Sequence, residues 1–587
     1  MKTMLTALGI VSMAMVANAG SFVAKDRLEG SPWPAEIKGF VPPKPGEHPR
    51  LFFRKKDLPE LKRRAATPEG KMIMKRLRYL LDGKDGETMT TVFSDAKGEG
   101  GKSRVKGPGM FSHSHAAGYG FLYQMTGDKK YAEFGRQCFE KAFEGIRDKD
   151  SRYGFRDMPG ALRAGPSIAW FALGYDLCYE GWTPDVRKRI IKELLFYDGG
   201  HGNTTIERLA QGMRHHPACN HWGGQISGPP MIALAMLGDP EADQKQVKQL
   251  LEWGQKSTLR QLTEGIGDYG FFGGGTGPGV ITTDTAFIPL LQAWKNVAGK
   301  DFLTPRPVGE WLTLHWIMGC VTKDAGGKPV YPVRGTYSHN YFSRTGMSGS
   351  GAFCQGFGAI SDKYKPALLW LYNRSFLKPD MAENAPYDSI NTYAHRCILA
   401  LVNWPWDMEE GNPGKVMPKA CLDKYWHLAQ FRNRWKDQND ILVSALLEQA
   451  GGHYKSAPDT QVIHGGRIYK TSIVLRGKSQ DIKVLPNGGV IQSEKGSFGV
   501  DFSGASGADV LLVWVGGESV VAQRKKGAKR RKSRKPTAIV SRVTAGKTEF
   551  ALLAYGGDIA PEAMGDDVMV GDQTVGYDGK FITFAEK

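Results

Sequence analysis

The sequence of 587 residues has few cysteines and no long apolar stretch beyond its first twenty residues. Its seven cysteines lie between Cys138 and Cys421 and form no Cys-x-x-Cys pair, so neither a disulfide framework nor a zinc cluster is indicated. We expect buried thiols that pack as small apolar side chains. Because no later stretch reaches about 18 apolar residues, the length that crosses a bilayer, we expect no membrane insertion.

The amino terminus has the pattern of an export signal. Met1 and Lys2 give a short cationic start, Leu5 to Val16 is apolar, and Ala17-Asn18-Ala19 offers small residues for cleavage. We predict a signal peptide over 1–20, an amino-terminal extension over 21–45, and a secreted or periplasmic protein. An uncleaved anchor is the alternative, which the short apolar run disfavours.

Acidic residues are outnumbered by basic ones, with a formal net charge of +18. Half of this excess lies in segment 524–535, which carries nine Lys and Arg residues. The excess favours an acidic partner. The segment is either a solvated loop between strands or a loop that binds a polyanion. Nucleic acid is disfavoured because no aromatic residues alternate with these charges. The sequence does not indicate an oligomeric state.

The chain changes character near Trp404. Before it, apolar residues recur at helical spacing, and after it come short β-branched runs between glycine-rich turns. We predict an α+β multidomain protein, with an N-terminal (α/α) toroid over 46–404, a linker over 405–420 and a C-terminal antiparallel β-sandwich over 421–587. The predicted helices are 58–81, 116–125, 131–143, 166–179, 184–195, 224–237, 241–262, 283–297, 308–318, 351–360 and 390–402. The predicted strands are 440–446, 468–475, 489–492, 498–502, 510–515, 538–543 and 550–555.

Two short motifs in the helical part could carry chemistry. Asn220 and His221 can hydrogen-bond and partly neutralise a carboxylate, and Tyr269, in a glycine-rich loop about fifty residues on, can take and give protons. Together they suit removal of a proton next to a carboxylate. Two alternatives stay open: Asn220 caps the helix that begins near Trp222, and Tyr269 is an ordinary loop aromatic.

Further polar and aromatic residues suit a subsite for an acidic sugar. Trp222 offers a flat face for stacking on a sugar ring, and His216 adds a ring nitrogen beside it. Arg334, Tyr337 and His339 add further basic and aromatic side chains on a later loop. We predict these five as substrate-binding residues, with a hydrogen-bonded loop as the alternative for the second group.

The order of several motifs resembles the heparinase II/III-type polysaccharide lyases, including the related alginate lyases. The motifs are His48-Pro49-Arg50-Leu51-Phe52-Phe53, Asn220-His221, Tyr269, Phe431-Arg432-Asn433-Arg434-Trp435, Gly451-Gly452-His453-Tyr454-Lys455 and His464-Gly465-Gly466-Arg467. The resemblance spans roughly residues 45 to 500. It implies a helical toroid followed by a β domain whose histidine loop reaches back over the cleft.

The resemblance also implies the roles of individual residues. Asn220 and His221 match the carboxylate-neutralising pair, Tyr269 the catalytic tyrosine and His453 the β-domain histidine. Lys455 stands where many members have a second histidine that contributes to a metal site. We therefore expect no cofactor and no bound metal, although Asp459 and His464 remain as residual ligands for a structural zinc or calcium ion in the β domain.

The activity implied is β-elimination on a uronic-acid-containing polysaccharide, in which tyrosine and histidine serve as base and acid. A glycoside hydrolase on a helical toroid is the second hypothesis, and it needs two carboxylates at a suitable separation. The carboxylates available for it are Asp157, Asp176, Glu264 and Asp268, which form no recognisable pair. A non-catalytic polysaccharide-binding protein is the third hypothesis.

Overall fold

The structure is a computed structural model, which describes residues 27, 29, 32–97, 101–158, 160–200, 204–213, 215–283, 285–322, 329–335, 351–375, 393–519 and 540–586. The predicted signal peptide, Tyr337, His339 and the basic segment 524–535 lie outside the described residues. Within the described part, helices dominate up to Asn403 and antiparallel strands follow from Ala420. The predicted fold class is confirmed.

The helical part also contains one short ribbon, in which β1 (Ala35–Glu36) pairs with β2 (Lys300–Asp301). Its described α-helices are α1 (Leu58–Ala66), α2 (Pro68–Asp82), α3 (His115–Thr126), α4 (Lys129–Phe143), α5 (Ala161–Cys178), α6 (Pro184–Leu195), α7 (Ile206–Ala210), α8 (Trp222–Ala235), α9 (Gln244–Arg260), α10 (Thr276–Thr283), α11 (Phe287–Ala298), α12 (Pro307–Gly319), α13 (Gly351–Phe357), α14 (Lys365–Ser375) and α15 (Ala394–Asn403).

The single helix predicted over 58–81 is two helices in the structure. Thr67 is extended, its hydroxyl accepts a hydrogen bond from the Gly70 amide at 3.0 Å, and Pro68 begins the second helix. A capping threonine followed by proline is a strong helix start. Apolar spacing continues through this break, which is why periodicity alone predicted one helix.

Six helices form a closed inner ring. α3 packs on α5, α5 on α8, α8 on α11, α11 on α13 and α13 on α15, which returns to α3. α4 packs on α3, and α9 packs on α8. α8 is buried at every position, as expected of a helix surrounded by other helices. The ring is the toroid that the sequence predicts.

The strands of the second domain follow one another closely along the chain. They are β3 (Ala420–Asp423), β4 (Leu428–Arg432), β5 (Leu442–Leu446), β6 (Asp459–His464), β7 (Arg467–Lys470), β8 (Ile473–Val474), β9 (Ser479–Leu485), β10 (Gly488–Ser493), β11 (Gly496–Asp501), β12 (Val510–Val515), β13 (Glu518–Ser519), β14 (Ser541–Ala545), β15 (Thr548–Tyr555), β16 (Glu562–Met564), β17 (Asp567–Val570), β18 (Gln573–Tyr577) and β19 (Ile582–Glu586).

Three sheets stack in this domain. The first has the order β3-β4-β5-β6-β7, the second β14-β15-β12-β11-β10-β9 and the third β16-β17-β18-β19. Along β12, Leu512 and Trp514 enter the core shared with the first sheet, while Leu511 and Val513 enter the core shared with the third. Because side chains alternate along a strand, the middle sheet is buried on both faces. The predicted sandwich therefore has a third layer.

The two domains are joined through buried hydrogen bonds at the carboxyl end of α12. The Arg432 guanidinium, at the end of β4, donates to the carbonyl of Met318 at 3.2 Å and to Asp440 at 3.1 Å. The Trp435 indole donates to the carbonyl of Ile317 at 2.9 Å. The last carbonyls of a helix have no partner within it, and a cation suits that end of the helix dipole. Burial nevertheless lowers the pKa of Arg432 to about 10.

Replacing Arg432 should strongly lower the stability of the folded protein. Arg432→Met leaves the buried Asp440 carboxylate without its buried partner, so we expect the free energy of unfolding in urea to fall by about 3–5 kcal/mol. Arg434 also contacts Asp440, at 3.2 Å, but its side chain is 47% exposed. Arg434→Met is the matched control, with an expected loss below about 1 kcal/mol. Equal losses in the two variants would contradict this account of the joint.

A second buried network fixes the start of the toroid. His48 Nδ1 lies 2.7 Å from an Asp176 carboxylate oxygen on α5, and Nε2 lies 3.1 Å from Asp239, just after α8. Arg50 donates to Asp239 at 2.9 Å. Burial opposes protonation of His48, but hydrogen bonds to both carboxylates outweigh it and hold the pKa above its usual 6.5. The His48-Pro49-Arg50 motif thus secures the chain to two helices of the inner ring.

The raised pKa of His48 predicts a pH-dependent stability. A histidine whose pKa is higher in the folded state stabilises fully below its unfolded pKa, and that contribution is lost as the pH rises through the folded pKa. We therefore expect the free energy of unfolding to fall as the pH rises above neutral, and this fall to shrink in His48→Gln. His427, whose pKa is lowered by burial, supplies the control. Should His48→Gln and His427→Gln show the same slope above neutral pH, the network is not its source.

The described part of the chain agrees with two further expectations. All seven cysteines are buried and unpaired. None of the described helices has the length and apolar character needed to cross a bilayer.

Candidate functional site at the domain junction

Three loops meet where the toroid faces the first sheet. They are residues 215–221 before α8, residues 266–275 after a π-helical turn (Gln261–Gly265), and residues 450–456 between β5 and β6. The third loop is closed at its base by Ala450 and Ser456, whose backbones exchange hydrogen bonds of 3.0 and 2.9 Å. It therefore reaches from the β domain to the helical domain as a short, tied turn.

Glycine permits the loops to touch. Gly451 has φ of +99°, and a Cβ there would lie 2.3 Å from the carbonyl oxygen of Tyr454 and 2.8 Å from the carbonyl carbon of Gly273. A Cβ on Gly452 would lie 3.0 Å from the carbonyl oxygen of Ala218. Any other residue at position 451 would push the loops apart. The Gly451-Gly452 pair thus places His453 directly beside the Asn220-His221 segment.

The segment before α8 gathers several donor and acceptor groups. Donor atoms of His215, Cys219 and His221 all lie within 4.8 Å of one another, and the rings of the two histidines are 4.9 Å apart. The sulfur of Cys219 lies 3.8 Å from the side-chain oxygen of Asn220, which is 3% exposed. The structure therefore places the predicted pair in one cluster with His215 and Cys219, which were not predicted as site residues.

His453 faces this cluster from the β domain. Its ring lies 6.1 Å from that of His221. Burial, with further contributions from His215, His453 and Arg163, lowers the pKa of His221 to about 4. Burial and His453 also lower the pKa of His215. Both imidazoles are therefore neutral near pH 7, and each has one N–H donor and one unprotonated nitrogen.

Arg163 and Tyr153 extend the site toward the toroid and were missed by sequence reasoning. The Arg163 guanidinium donates to the Tyr153 hydroxyl and lies over its ring, 4.8 Å from the centroid. Its charge also reaches His221. No local motif signals this pair, because it approaches His221 only through the packing of α5 on α8.

Tyr269 lies in a different environment. Its ring packs edge-on against Trp311 with 4.7 Å between centroids. Burial, followed by Cys421, Asp268 and Asp423, raises its pKa. Neighbouring carboxylates disfavour a phenolate. These neighbours differ from those of His221, and they suit a tyrosine that donates a proton better than one that accepts it.

Two predicted substrate-binding residues are buried in the structure. Trp222 is 1% exposed, and its indole donates to the carbonyl of Ser257 at 3.3 Å. Arg334 is 5% exposed, and it donates to Asp459 at 2.6 Å and to the Ser444 hydroxyl at 2.8 Å. A core indole has no free face for a sugar ring, and a guanidinium bound to the β domain has few donors left. Both side chains therefore make contacts within the protein, where contacts with substrate were predicted.

His216 and Asn220 lie at the surface and the interior of the same turn. His216 is half-buried, and its Nε2 lies 3.8 Å from Glu264. Burial lowers its pKa. α8 begins after His221, and no side chain caps it. Asn220 therefore does not serve as the helix cap that was the alternative to a functional role.

The carboxylates considered for hydrolysis are largely engaged elsewhere. Asp176 belongs to the buried network of the toroid, and Asp157 is exposed on a turn with φ of +51°. Asp268 forms an ion pair with Arg27 at 2.8 Å, and Glu264 forms one with Arg260 at 2.9 Å. This arrangement does not present a free pair of carboxylates flanking a bond.

The residual metal ligands of the β domain have separate partners. Asp459 accepts hydrogen bonds from Arg334 and Gln461, whereas His464 Nε2 lies 2.7 Å from Asp509. Among the residues that the structure describes, the group of three donors that could hold a metal is His215, Cys219 and His221.

Comparison with known proteins finds similarity in structure but none in sequence. No family model and no curated protein matches the chain. The solved structures include a heparinase III (10% identity, TM-score 0.39, covering 81% of this chain and 84% of that one) and the heparan sulfate lyase HepC from Pedobacter heparinus (10%, 0.40, 81% and 82%). Another heparinase III structure has 9% identity and a TM-score of 0.37, with 88% and 91% covered. These alignments cover most of this chain and most of each solved structure.

Proposed function

We propose that this protein is a polysaccharide lyase that cleaves a uronic-acid-containing polymer by β-elimination. The observation that carries the proposal is the meeting of Asn220, His221 and His453 across the domain junction, with the Arg163 charge behind them. Amide, imidazole and guanidinium donors are the groups that bind a carboxylate. The arrangement lacks the two free carboxylates that hydrolysis would require.

The first role of the site is to make the proton at C5 of the uronate acidic. Loss of that proton places negative charge on the neighbouring carboxylate, so donors aimed at its oxygens stabilise the transition state. The Asn220 amide and an N–H of the neutral His221 imidazole supply hydrogen bonds, and Arg163 supplies positive charge. Because Asn220 is buried and both residues belong to one turn, the donors are held in place before substrate binds.

A tyrosine in its phenolate form removes the C5 proton and becomes the neutral hydroxyl, and the electron pair of the C–H bond forms the C4–C5 double bond. The bond between C4 and its glycosidic oxygen breaks, and that oxygen takes a proton from an acid. His453 is exposed and its ring lies 6.1 Å from that of His221, so it suits this step. The products are a new non-reducing unsaturated uronide and a polymer end with a free hydroxyl, and no water is consumed.

Two tyrosines are candidates for the base. The sequence resemblance assigns the role to Tyr269, whereas the contacts favour Tyr153, whose hydroxyl accepts a hydrogen bond from Arg163. The raised pKa of Tyr269 makes its phenolate less accessible. In the proposed mechanism Tyr153, through its hydrogen bond with Arg163, is the first candidate for the base, and Tyr269 is the alternative that the same experiment tests.

The test is ultraviolet absorbance of the conjugated double bond, with purified protein incubated against a panel of uronate polymers. We expect a rise with at least one polymer, and a fall in kcat of about 100- to 10,000-fold in the variant that lacks the base. Tyr153→Phe and Tyr269→Phe identify that residue, and Tyr79→Phe, on the exposed face of α2, is the control.

Asn220→Ala should also lower kcat, by about 100-fold or more, because it removes a donor to the developing charge. New reducing ends without the ultraviolet absorbance would indicate hydrolysis and would contradict the lyase proposal. Binding without either product would leave a polysaccharide-binding protein. Full activity in both tyrosine variants would overturn the assignment of a tyrosine base.

A further inference from the structure

We propose that His215, Cys219 and His221 form a binding site for a divalent transition metal of the zinc type. The inference goes beyond the proposed lyase activity and holds whether or not that activity is found. It concerns the helical side of the junction, and it uses two groups, His215 and Cys219, that the proposed mechanism does not.

The geometry of the three donors is close to that of a bound ion. Their ligand atoms lie within 4.8 Å of one another, and the Cys219 sulfur is 4.0 Å from His215 Nδ1. In a tetrahedral zinc site with Zn–S near 2.3 Å and Zn–N near 2.0 Å, sulfur and nitrogen ligands lie roughly 3.5 Å apart. A contraction of about half an ångström would therefore bring sulfur and nitrogen to ligand distance, which side-chain rotation alone can supply.

The donor set selects the class of metal. Two imidazoles and one thiol are ligands for zinc, cobalt, nickel and copper, whereas calcium and magnesium require oxygen ligands. Three protein ligands with a fourth position open are typical of zinc sites at which another group binds. His453, whose ring is 6.1 Å from that of His221, lies outside this donor group, so the fourth position is left to solvent or substrate.

The backbone holds the ligands together. The Cys219 amide donates to the carbonyl of His216 at 2.7 Å, which turns the chain so that positions 215 and 219 face each other. Burial raises the pKa of the Cys219 thiol, and a hydrogen bond that the sulfur accepts from the backbone N–H of His221 partly opposes this rise. Three ligands from seven consecutive residues require little rearrangement, which favours binding to the folded protein.

Binding is balanced by release of one proton. The Cys219 thiol loses its proton to solvent as the sulfur bonds to the metal, while both imidazoles bind through an unprotonated nitrogen. A divalent ion and one thiolate leave one positive charge beside Asn220. Such a charge would attract a substrate carboxylate, so the ion and the proposed lyase chemistry are compatible.

The experiment measures metal binding in the absence of any polysaccharide. Full-length protein, treated with chelator and desalted, is titrated with Co²⁺. We expect about one equivalent to bind, with a sulfur-to-cobalt charge-transfer band and the visible absorption of tetrahedral cobalt. Zn²⁺ should then displace the cobalt and abolish both features. Because no substrate is present, the outcome is independent of the proposed activity.

Variants test the assignment to individual ligands. Cys219→Ser should abolish the charge-transfer band and weaken Co²⁺ binding by at least about 100-fold, and His215→Ala should weaken it similarly. Cys138→Ala is the matched control, since Cys138 is a buried thiol that contacts Met89 in the toroid core, and it should bind as the unaltered protein does.

Two outcomes would overturn the site. One is the absence of bound cobalt and zinc at concentrations well above those of the protein. The other is an unchanged spectrum in Cys219→Ser. If that variant fails to fold, X-ray absorption of the unaltered protein loaded with zinc decides: one sulfur and two or three nitrogen neighbours support the site, and only nitrogen and oxygen neighbours exclude it.

Discussion

The candidate site depends on the buried joint between the toroid and the first sheet. Arg432 and Trp435 bind the carbonyls at the end of α12 and so fix the β domain against the helices. A buried guanidinium is costly to desolvate, and the lowered pKa of Arg432 reflects that cost. Its hydrogen bonds to carbonyls and to Asp440 offset the cost only when both domains are in place. The joint is therefore specific to one relative arrangement of the domains.

The relative arrangement of the two domains fixes the position of the loop over 450–456, which carries His453. A one-residue shift of the first sheet would reverse which side chains of β5 face the helices, since side chains alternate along a strand. Ser444 now binds Arg334 of the helical side, while Val443 enters the core of the sandwich. The loop from Ala450 to Ser456 starts four residues after β5, so the register that pairs Ser444 with Arg334 also sets where His453 lies.

Sequence reasoning predicted the helices and strands better than the contacts between distant segments. Helical spacing and capping located most of the toroid, and the order of the motifs predicted that Asn220, His221 and His453 belong to one site. Sequence reasoning missed what depends on packing between distant segments. Arg163 and Tyr153 approach His221 through the contact of α5 with α8, and no spacing along the chain records that contact. Trp222 has the residue type of a sugar-stacking platform, but its position on the fully buried α8 makes it a core residue.

The charges around the cleft explain why the two tyrosines differ. On the toroid side, burial lowers the pKa values of both His215 and His221, with a further contribution from His453 to each and from Arg163 to His221, so both imidazoles stay neutral. Below the glycine-rich loop, burial and Asp268 raise the pKa of Asp423 to about 7. Burial also raises the pKa of Tyr269, and the charge of Asp268 adds to that rise. A carboxylated sugar ring entering the junction would therefore be drawn toward Arg163 and away from Asp268. Its acidic proton would then lie on the side where the Tyr153 hydroxyl accepts a hydrogen bond from Arg163.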